Sequence, residues 1–337
     1  MLLTICIPTY NRADFLKETL NRICKSLSFY QLGDAIEVLI GDNSSTDETE
    51  SVCSSFCANR NFRYIKNSVN FGCEKNWFNL VHEAQGKFVW ILSDDDFFDD
   101  KIMCTVAGLC HQNYSVIYLD YFVEERELIS SSYLIDFDKY KESYSVSVGS
   151  GAREFFSSVG FSSSFLSSNV FHREKFLKNE EIISKYINNP WLQLYTCEIM
   201  LEKQGLFKLV GKSGLVMGGE SLRDSRARAA DQGFKHYYFC AHQKKLDFYF
   251  YISEKYGVDF CFDFLSDDFC QILIEKVLCG KIACREDYFF WLRVAFSRIK
   301  DRRFLRIRFY LVNLPLMLLP SFSLPLLRQF KKLFHRV

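Results

Sequence analysis

Three consecutive aspartates, Asp94, Asp95 and Asp96, follow an apolar run at residues 88–92. The run predicts a buried strand, and carboxylates this close together raise one another's pKa unless a cation neutralises them. Mg²⁺ or Mn²⁺, which prefer oxygen ligands, would do so. Such an ion would also neutralise the charge that develops on a departing diphosphate. The simpler alternative is that the aspartates cap a helix or end a strand in water.

Polar residues also stand at the ends of two earlier predicted strands. Thr9 and Asn11 follow the first strand, and Asp42, Asn43 and Ser44 end or follow the second. Strands alternate here with helical patterns of ~10–15 residues, which predicts an α/β fold with a mostly parallel central sheet flanked by helices. Such sheets bind ligands beyond the carboxyl ends of their strands. We therefore expect these side chains and the three aspartates to line one cleft.

Composition narrows the class of protein. Among 337 residues, 42 Lys and Arg nearly balance 41 Asp and Glu, so no global charge attracts nucleic acid. The 13 cysteines include no CxxC pair, which argues against a zinc or disulfide framework and favours a reducing compartment. The first residues lack the basic and apolar regions of a secretory signal. A cytoplasmic protein that does not bind nucleic acid is expected.

The last region, residues 301–337, is both basic and apolar. Residues 309–327 carry no charge and stand between two clusters of Arg and Lys. Pro315, Pro320 and Pro325 would each remove a helical hydrogen bond in lipid, which argues against a membrane-spanning helix. The pattern favours a tail that lies in the interface of an anionic membrane. A buried hairpin or an oligomer contact is the alternative.

Four segments resemble a known family. TICIPTYNR, IEVLIGDNSSTDET, NSVNFGCEKNW and GKFVWILSDDD are similar, in order and spacing, to the amino-terminal half of family 2 glycosyltransferases. The resemblance points to the bacterial branch that decorates O-antigen and other surface polysaccharides, such as abequosyltransferase-like enzymes. It implies a GT-A fold and an inverting, Mn²⁺- or Mg²⁺-assisted transfer from a nucleotide-diphosphate sugar donor to a lipid-linked glycan acceptor. The enzyme would be peripheral on the inner face of the cell membrane.

The resemblance also implies roles for particular residues. Asp42 would bind the base or ribose, which suits its acceptor oxygens. In the DXD-type motif, Asp96 with Asp94 would hold the metal, and Asp95 would face the ribose or sugar. The residues expected to bind the nucleotide sugar are Pro8, Thr9, Tyr10, Arg12, Asp42, Asn43, Ser44, Asn70, Gly72, Asn76, Asp94 and Asp95.

The general base of the inverting enzymes has no clear counterpart here. Where an acid pair usually opens an acceptor-side helix, the sequence reads NNPWLQLYTCE, with Asn189 in place of an acid. Three candidate bases remain open: Glu198, Glu220 and Asp224. Glu198 has the alternative of a solvated position on a helix face.

Other side chains of the second half are candidates for contacts with the acceptor or the diphosphate. Arg223, Arg226 and Arg228 would close over the diphosphate, because guanidinium forks match phosphate oxygens. A solvated basic loop is their alternative role. Trp191 would stack on the apolar face of a sugar.

The chain thus divides into four predicted regions. Residues 1–120 and 121–233 would be the nucleotide-sugar-binding and acceptor-binding halves of a GT-A domain, followed by a helical segment at 234–300 and the tail at 301–337. Two other functions remain open. A nucleotidyltransferase has a related fold, but IPTYNR lacks the glycine-rich loop that it needs. A non-catalytic sugar-nucleotide-binding scaffold of a polysaccharide assembly complex is compatible with the missing base motif.

Overall fold

The computed structural model describes residues 1–123 and 147–218, and residues 244, 247–248, 251–252 and 254–256 of a later segment. The chain divides into two units, Met1–Ile252 and Ser253–Val337, and every element named below belongs to the first. The predicted boundaries at 120, 233 and 300 stay predictions. Most of the predicted helical segment and the whole tail lie outside the described residues.

The described part of the chain contains nine strands and eight α-helices. In chain order they are β1 (Leu3–Thr9), α1 (Ala13–Phe29), β2 (Ile36–Asp42), α2 (Thr49–Phe56), β3 (Phe62–Lys66), α3 (Cys73–Glu83), β4 (Phe88–Ile91), β5 (Phe97–Phe98), α4 (Lys101–Leu109), β6 (Val116–Val123), β7 (Ser147–Ser150), α5 (Ala152–Val159), β8 (Asn169–His172), α6 (Arg173–Lys178), α7 (Glu180–Ile183), α8 (Leu192–Leu201) and β9 (Leu206–Met217). Short 3-10 segments, Gly160–Ser164 and Leu166–Ser168, precede β8.

All nine strands belong to one sheet in the order β3-β2-β1-β4-β8-β6-β9-β5, and β7 pairs with β9. The half β3-β2-β1-β4 is parallel, as predicted. In the other half, β8 runs antiparallel to both β4 and β6, whereas β6 and β9 are parallel. The predicted α/β sheet flanked by helices is confirmed, and its second half is mixed rather than parallel.

Burial explains why the parallel half forms where the sequence predicts it. All seven residues of β2 are buried, and a strand covered on both faces of a parallel sheet needs such a nearly continuous apolar run. Helix α1 buries Leu16, Leu20, Ile23 and Leu27, which recur at helical spacing on one face. These side chains join the main core with residues of β1, β2 and β4. The core therefore fixes the strand ends that carry the polar residues.

Strand β9 runs without interruption from Leu206 to Met217, although its sequence contains two glycines. Gly214 lies within it at φ +78°, and a β-carbon there would approach the Asp99 β-carbon to 2.5 Å. Glycine tolerates both conditions, so the strand continues through this point. Its continuation brings Gly218 to the three aspartates.

None of the helices in the described ranges has the length and apolar character that crossing a bilayer requires.

Candidate active site

The three aspartates lie just beyond the carboxyl end of β4 and are almost completely buried. Asp94, Asp95 and Asp96 are 3%, 5% and 2% exposed. The last residue of β1, Thr9, donates its hydroxyl to Asp94 Oδ2 at 2.7 Å. The Thr19 hydroxyl of α1 donates to the Asp94 carbonyl at 2.8 Å. The prediction that these strand ends meet is therefore confirmed for β1 and β4, and the water-exposed alternative is wrong.

Arg12 offsets part of the repulsion between the carboxylates. Its Nε lies 2.9 Å from Asp94 Oδ1, and its Nη2 lies 2.7 Å from Asp95 Oδ2. Both nitrogens thus lie within ion-pair distance of a carboxylate oxygen. The Phe15 ring supports the guanidinium at 4.9 Å. The sequence reasoning assigned Arg12 to the nucleotide and missed this pairing, although a cation directly after β1 was its signal.

Asp96 is held by two neutral donors from the second half of the sheet. The Ser167 hydroxyl donates to Asp96 Oδ2 at 2.5 Å, and the Gly218 N–H donates to Oδ1 at 2.8 Å. The Ser93 N–H in turn donates to the Ser167 hydroxyl oxygen at 2.9 Å. A β-carbon on Gly218 would collide with the Asp95 carbonyl. The sequence reasoning missed Ser167 and Gly218, whose signals were a serine-rich turn and a glycine pair after a strand.

Burial makes negative charge unfavourable at these side chains. It raises the pKa of Asp94 to about 7, although Arg12 opposes this effect. Burial and the neighbouring Asp95 raise the pKa of Asp96 to about 8. A cation placed beside them would lower both values. The described site therefore holds three carboxyl groups beside one guanidinium, and a further cation would favour their ionised forms.

The chemistry of this donor set fits a divalent ion. Carboxylate oxygens suit Mg²⁺ and Mn²⁺, and within the described ranges Asp96 has no ion-pair partner. The same ranges contain no group of three Asp, Glu, His or Cys side chains arranged as a complete metal site. A metal would therefore need further ligands, such as substrate phosphates and water. Two of the three carboxylates, Asp94 and Asp95, are also paired with Arg12.

Asp42, the residue expected at the base or ribose, is fully buried at the end of β2. Its Oδ1 accepts the Ser45 N–H at 2.7 Å, and its Oδ2 accepts the Tyr64 hydroxyl at 2.7 Å. Ser44, which lies between Asp42 and Ser45 in the chain, adopts a left-handed backbone conformation with φ +71°. Each carboxylate oxygen keeps a second lone pair. The nucleotide role of Asp42 stays a prediction, and its observed role is to fix the turn after β2.

Asn43 joins the turn after β2 to the segment before α3. Its Nδ2 donates to Asn70 Oδ1 at 2.7 Å, and its Oδ1 accepts the Phe71 N–H at 2.9 Å and the Asn67 Nδ2 at 3.1 Å. Asn67 also donates to Asn76 Oδ1 at 2.9 Å. Asn43, Asn67, Asn70 and Asn76 form what we call the amide network. It brings together three predicted donor-site residues: Asn43, Asn70 and Asn76.

The amide network sets the position of the segment 67–72. Asn76 anchors it to the sheet by donating to the Gly41 carbonyl at 2.8 Å. Gly72 precedes α3 at φ +88°, which a side chain would disfavour, and its N–H donates to Asn70 Oδ1 at 2.9 Å. Tyr10 and Phe71 keep exposed rings, and Pro8 is half-buried. The segment 67–72 is thus held by hydrogen bonds, and the Phe71 ring within it is exposed.

The candidate residues of the second half are less completely placed. Glu198 on α8 is 0% exposed and accepts a hydrogen bond from the Tyr251 hydroxyl, so its solvated alternative is wrong. Trp191 precedes α8 and packs edge-on against Phe161 at 5.1 Å between ring centroids. The remaining candidates lie in 219–243, outside the described residues: Glu220, Arg223, Asp224, Arg226 and Arg228.

Comparison with known families agrees with this geometry. Residues 4–144 match the model of Glycosyl transferase family 2. The family resemblance noted in the sequence is confirmed.

Two curated relatives carry the resemblance further. The chain is 43% identical, over 98 residues, to the abequosyltransferase RfbV of Salmonella typhimurium, covering 28% of each protein. It is 26% identical, over 200 residues, to the GalNAc(5)-diNAcBac-PP-undecaprenol beta-1,3-glucosyltransferase of Campylobacter jejuni, covering 57% of this chain and 59% of the relative. Both matches span less than two thirds of the relative's length.

Solved structures show the same fold. TarS 1-349 of S. aureus matches with a TM-score of 0.51 at 15% identity, over 84% of this chain and 83% of that one. The mannosyltransferase PcManGT of Pyrobaculum calidifontis matches with a TM-score of 0.53 at 12% identity, over 90% and 82%. The GT-A fold implied by the resemblance is confirmed.

Proposed function

We propose that this protein is a glycosyltransferase that moves a sugar from a nucleotide-diphosphate donor to a glycan acceptor in bacterial surface polysaccharide synthesis, with inversion. The observation that carries the proposal is the buried triple aspartate of a family 2 domain, placed where β1 and β4 end together. A site with three carboxyl groups and one guanidinium suits a divalent cation and, through it, a diphosphate. The relatives named above, which are glycosyltransferases by name, support the reaction class.

The donor would bind across the strand ends of the parallel half. Asp42 and the segment 67–72 would contact the nucleoside, and Asp95 would face the ribose or sugar. Asp96, with Asp94, would hold Mn²⁺ or Mg²⁺, which when bound neutralises charge on the leaving diphosphate. The PcManGT structure, described as a complex with GDP-Man and Mn²⁺, supports this class of donor and metal.

The acceptor hydroxyl would be deprotonated by a carboxylate of the second half. The Glu198 carboxylate is buried and accepts a hydrogen bond from Tyr251, which argues against it as the base. Glu220, which follows Gly218 by two positions in the sequence, is the preferred candidate. Asp224 is the remaining alternative. Arg223 and Arg226 would contact the diphosphate and Trp191 the acceptor sugar.

The acceptor would be lipid-linked, and the enzyme would work at the inner face of the cell membrane. The name of the Campylobacter relative, which includes PP-undecaprenol, supports such an acceptor. The basic and apolar tail at 301–337 would hold the protein on anionic lipid. Deleting the chain from Arg302 onward should release it from anionic liposomes in a flotation assay. Full retention would contradict the assignment of the tail.

A screen of nucleotide sugars by thermal shift, with and without Mn²⁺, tests the proposal. We expect one donor to stabilise the protein in a metal-dependent way and then to be hydrolysed or transferred. Donor binding without hydrolysis or transfer would favour the scaffold function instead. Turnover of a nucleoside triphosphate with a sugar phosphate would favour a nucleotidyltransferase.

A further inference from the structure

Arg12 lies beside the three aspartates of the proposed metal-binding motif. Its guanidinium contacts Asp94 through Nε and Asp95 through Nη2, at 2.9 and 2.7 Å. The Arg12 side chain is 24% exposed, whereas the two carboxylates are 4% and 1% exposed. One cation thus bridges two adjacent acids that are nearly removed from water.

We propose that Arg12 is a built-in counter-cation of the triple aspartate, and that it competes with a divalent cation for Asp94 and Asp95. The competition rests on the proposed function, because that function supplies the metal site. The pairing itself involves side chains of this chain alone. Arg12 would therefore set how tightly the protein binds metal before any donor arrives.

The contacts of the three carboxylates support this role. Thr9 donates to Asp94 and Ser93 donates to Asp95, so both acids already have a neutral hydrogen-bond donor. Arg12 adds charge rather than the only hydrogen bond. Buried charges that lack a partner are strongly destabilising, and within the described ranges Arg12 is the cation that lies within ion-pair distance of Asp94 and Asp95.

The same contacts make Arg12 a competitor. A carboxylate oxygen that faces a guanidinium at ion-pair distance does not offer that lone pair to a metal, and two positive charges at one carboxylate repel each other. Among the described residues, Asp96 is held by the neutral donors Ser167 and Gly218 and has no cation at ion-pair distance. A metal at Asp96 would therefore meet less repulsion than one at Asp94 or Asp95, where Arg12 would have to move. Its partly exposed side chain allows that movement without a change in the fold.

Mn²⁺ binding to the donor-free protein, measured by electron paramagnetic resonance, tests the competition directly. Arg12→Met should bind Mn²⁺ about tenfold more tightly than the wild type, because a positive charge beside the site is removed. Arg12→Lys should stay close to the wild type. Arg22→Gln is the matched control, because Arg22 lies on α1 and has a similar exposed fraction but pairs with Glu18. Equal or weaker Mn²⁺ binding by Arg12→Met, or no binding by either protein, would overturn the competition.

Thermal unfolding without metal tests the counter-cation role, including the case in which Arg12→Met folds poorly. That variant should lose roughly 5–10 °C in Tm, because two buried carboxylates lose their cation. The double variant Arg12→Met/Asp94→Asn should recover part of this loss, since one charge is removed with the cation. A double variant less stable than the sum of its single changes would overturn the role. Neither Mn²⁺ binding nor thermal unfolding needs a donor. A failed transferase assay would therefore contradict the proposed function without changing the conclusion about Arg12.

Discussion

The two halves of the sheet contribute to the candidate site in different ways. In the parallel half, β1, β2 and β4 end together, and each end supplies polar side chains: Thr9, Asp42 and the three aspartates. In the mixed half, β8 and β9 supply single donor groups, the Ser167 hydroxyl before β8 and the Gly218 N–H after β9. The first half builds the site, and the second half holds one carboxylate of it. Asp96 follows β4 of the first half and accepts hydrogen bonds from residues of the second half.

The largest effect is expected from Asp96→Asn, which changes the carboxylate that the second half of the sheet holds. We expect a loss of about 10²–10³-fold in metal-dependent transfer, because the carboxylate proposed to hold the metal loses its charge. The amide oxygen can still accept the Gly218 N–H, so the circular dichroism spectrum should be unchanged. Asp100→Asn is the control, because Asp100 accepts a hydrogen bond from Ser26 of α1. Unchanged transfer kinetics in Asp96→Asn would remove the metal argument.

The stability of the protein should depend on pH through Asp94 and Asp96. The folded-state pKa values of Asp94 (about 7) and Asp96 (about 8) exceed the unfolded value of about 4. Between about pH 4 and 8 the folded protein holds protons that the unfolded chain has released, so stability falls as the pH rises.

Between pH 6 and 8.5, the metal-free protein should therefore lose about 4 kcal/mol of unfolding free energy from these two groups. Denaturant titrations at the two pH values measure this loss. Asp96→Asn should lose less than the wild type, and Mn²⁺ should oppose the loss at pH 8.5. Equal losses in the variant and the wild type would contradict the raised pKa of Asp96.

Asn43→Ala tests the parallel half alone. It removes three hydrogen bonds that position the segment 67–72. The KM for the donor should rise about tenfold with a smaller change in kcat, because ordering the segment costs binding energy and leaves the reacting groups in place. Asn79→Ala, on the same helix as Asn76, is the control. A fall in kcat with an unchanged KM would show that the network acts elsewhere.

Glu198→Gln tests the mixed half and should have the smallest effect. The carboxylate is buried and bound to Tyr251, and a glutamine oxygen can accept the same hydrogen bond. We expect kcat to fall by less than about tenfold, below the usual effect of removing a general base. Glu202→Gln, at an exposed position after the same helix, is the control. A loss of a thousandfold with an intact fold would make Glu198 the base.

The sequence predicts the parallel half well because local patterns determine it. Strand β2 has the bounds that its apolar run predicts, and Asn43, Asn70 and Asn76 meet because they flank strand ends and a helix start. The buried position of the three aspartates follows from the same logic.

The partners of the aspartates could not be predicted in this way. The fork of Arg12 onto Asp94 and Asp95 depends on side-chain torsions that no spacing encodes. Ser167 and Gly218 reach Asp96 because β8 is antiparallel to β4 and because β9 continues through Gly214, and both are consequences of pairing over long sequence distances. Hydrophobic periodicity does not report such pairing.

A crystal structure of the protein with Mn²⁺ and the nucleotide sugar that stabilises it most would show directly whether Asp96 holds the metal. We predict an anomalous manganese peak within about 2.3 Å of an Asp96 carboxylate oxygen, bridging to the diphosphate. A bound donor with no metal density at Asp96 would contradict the account.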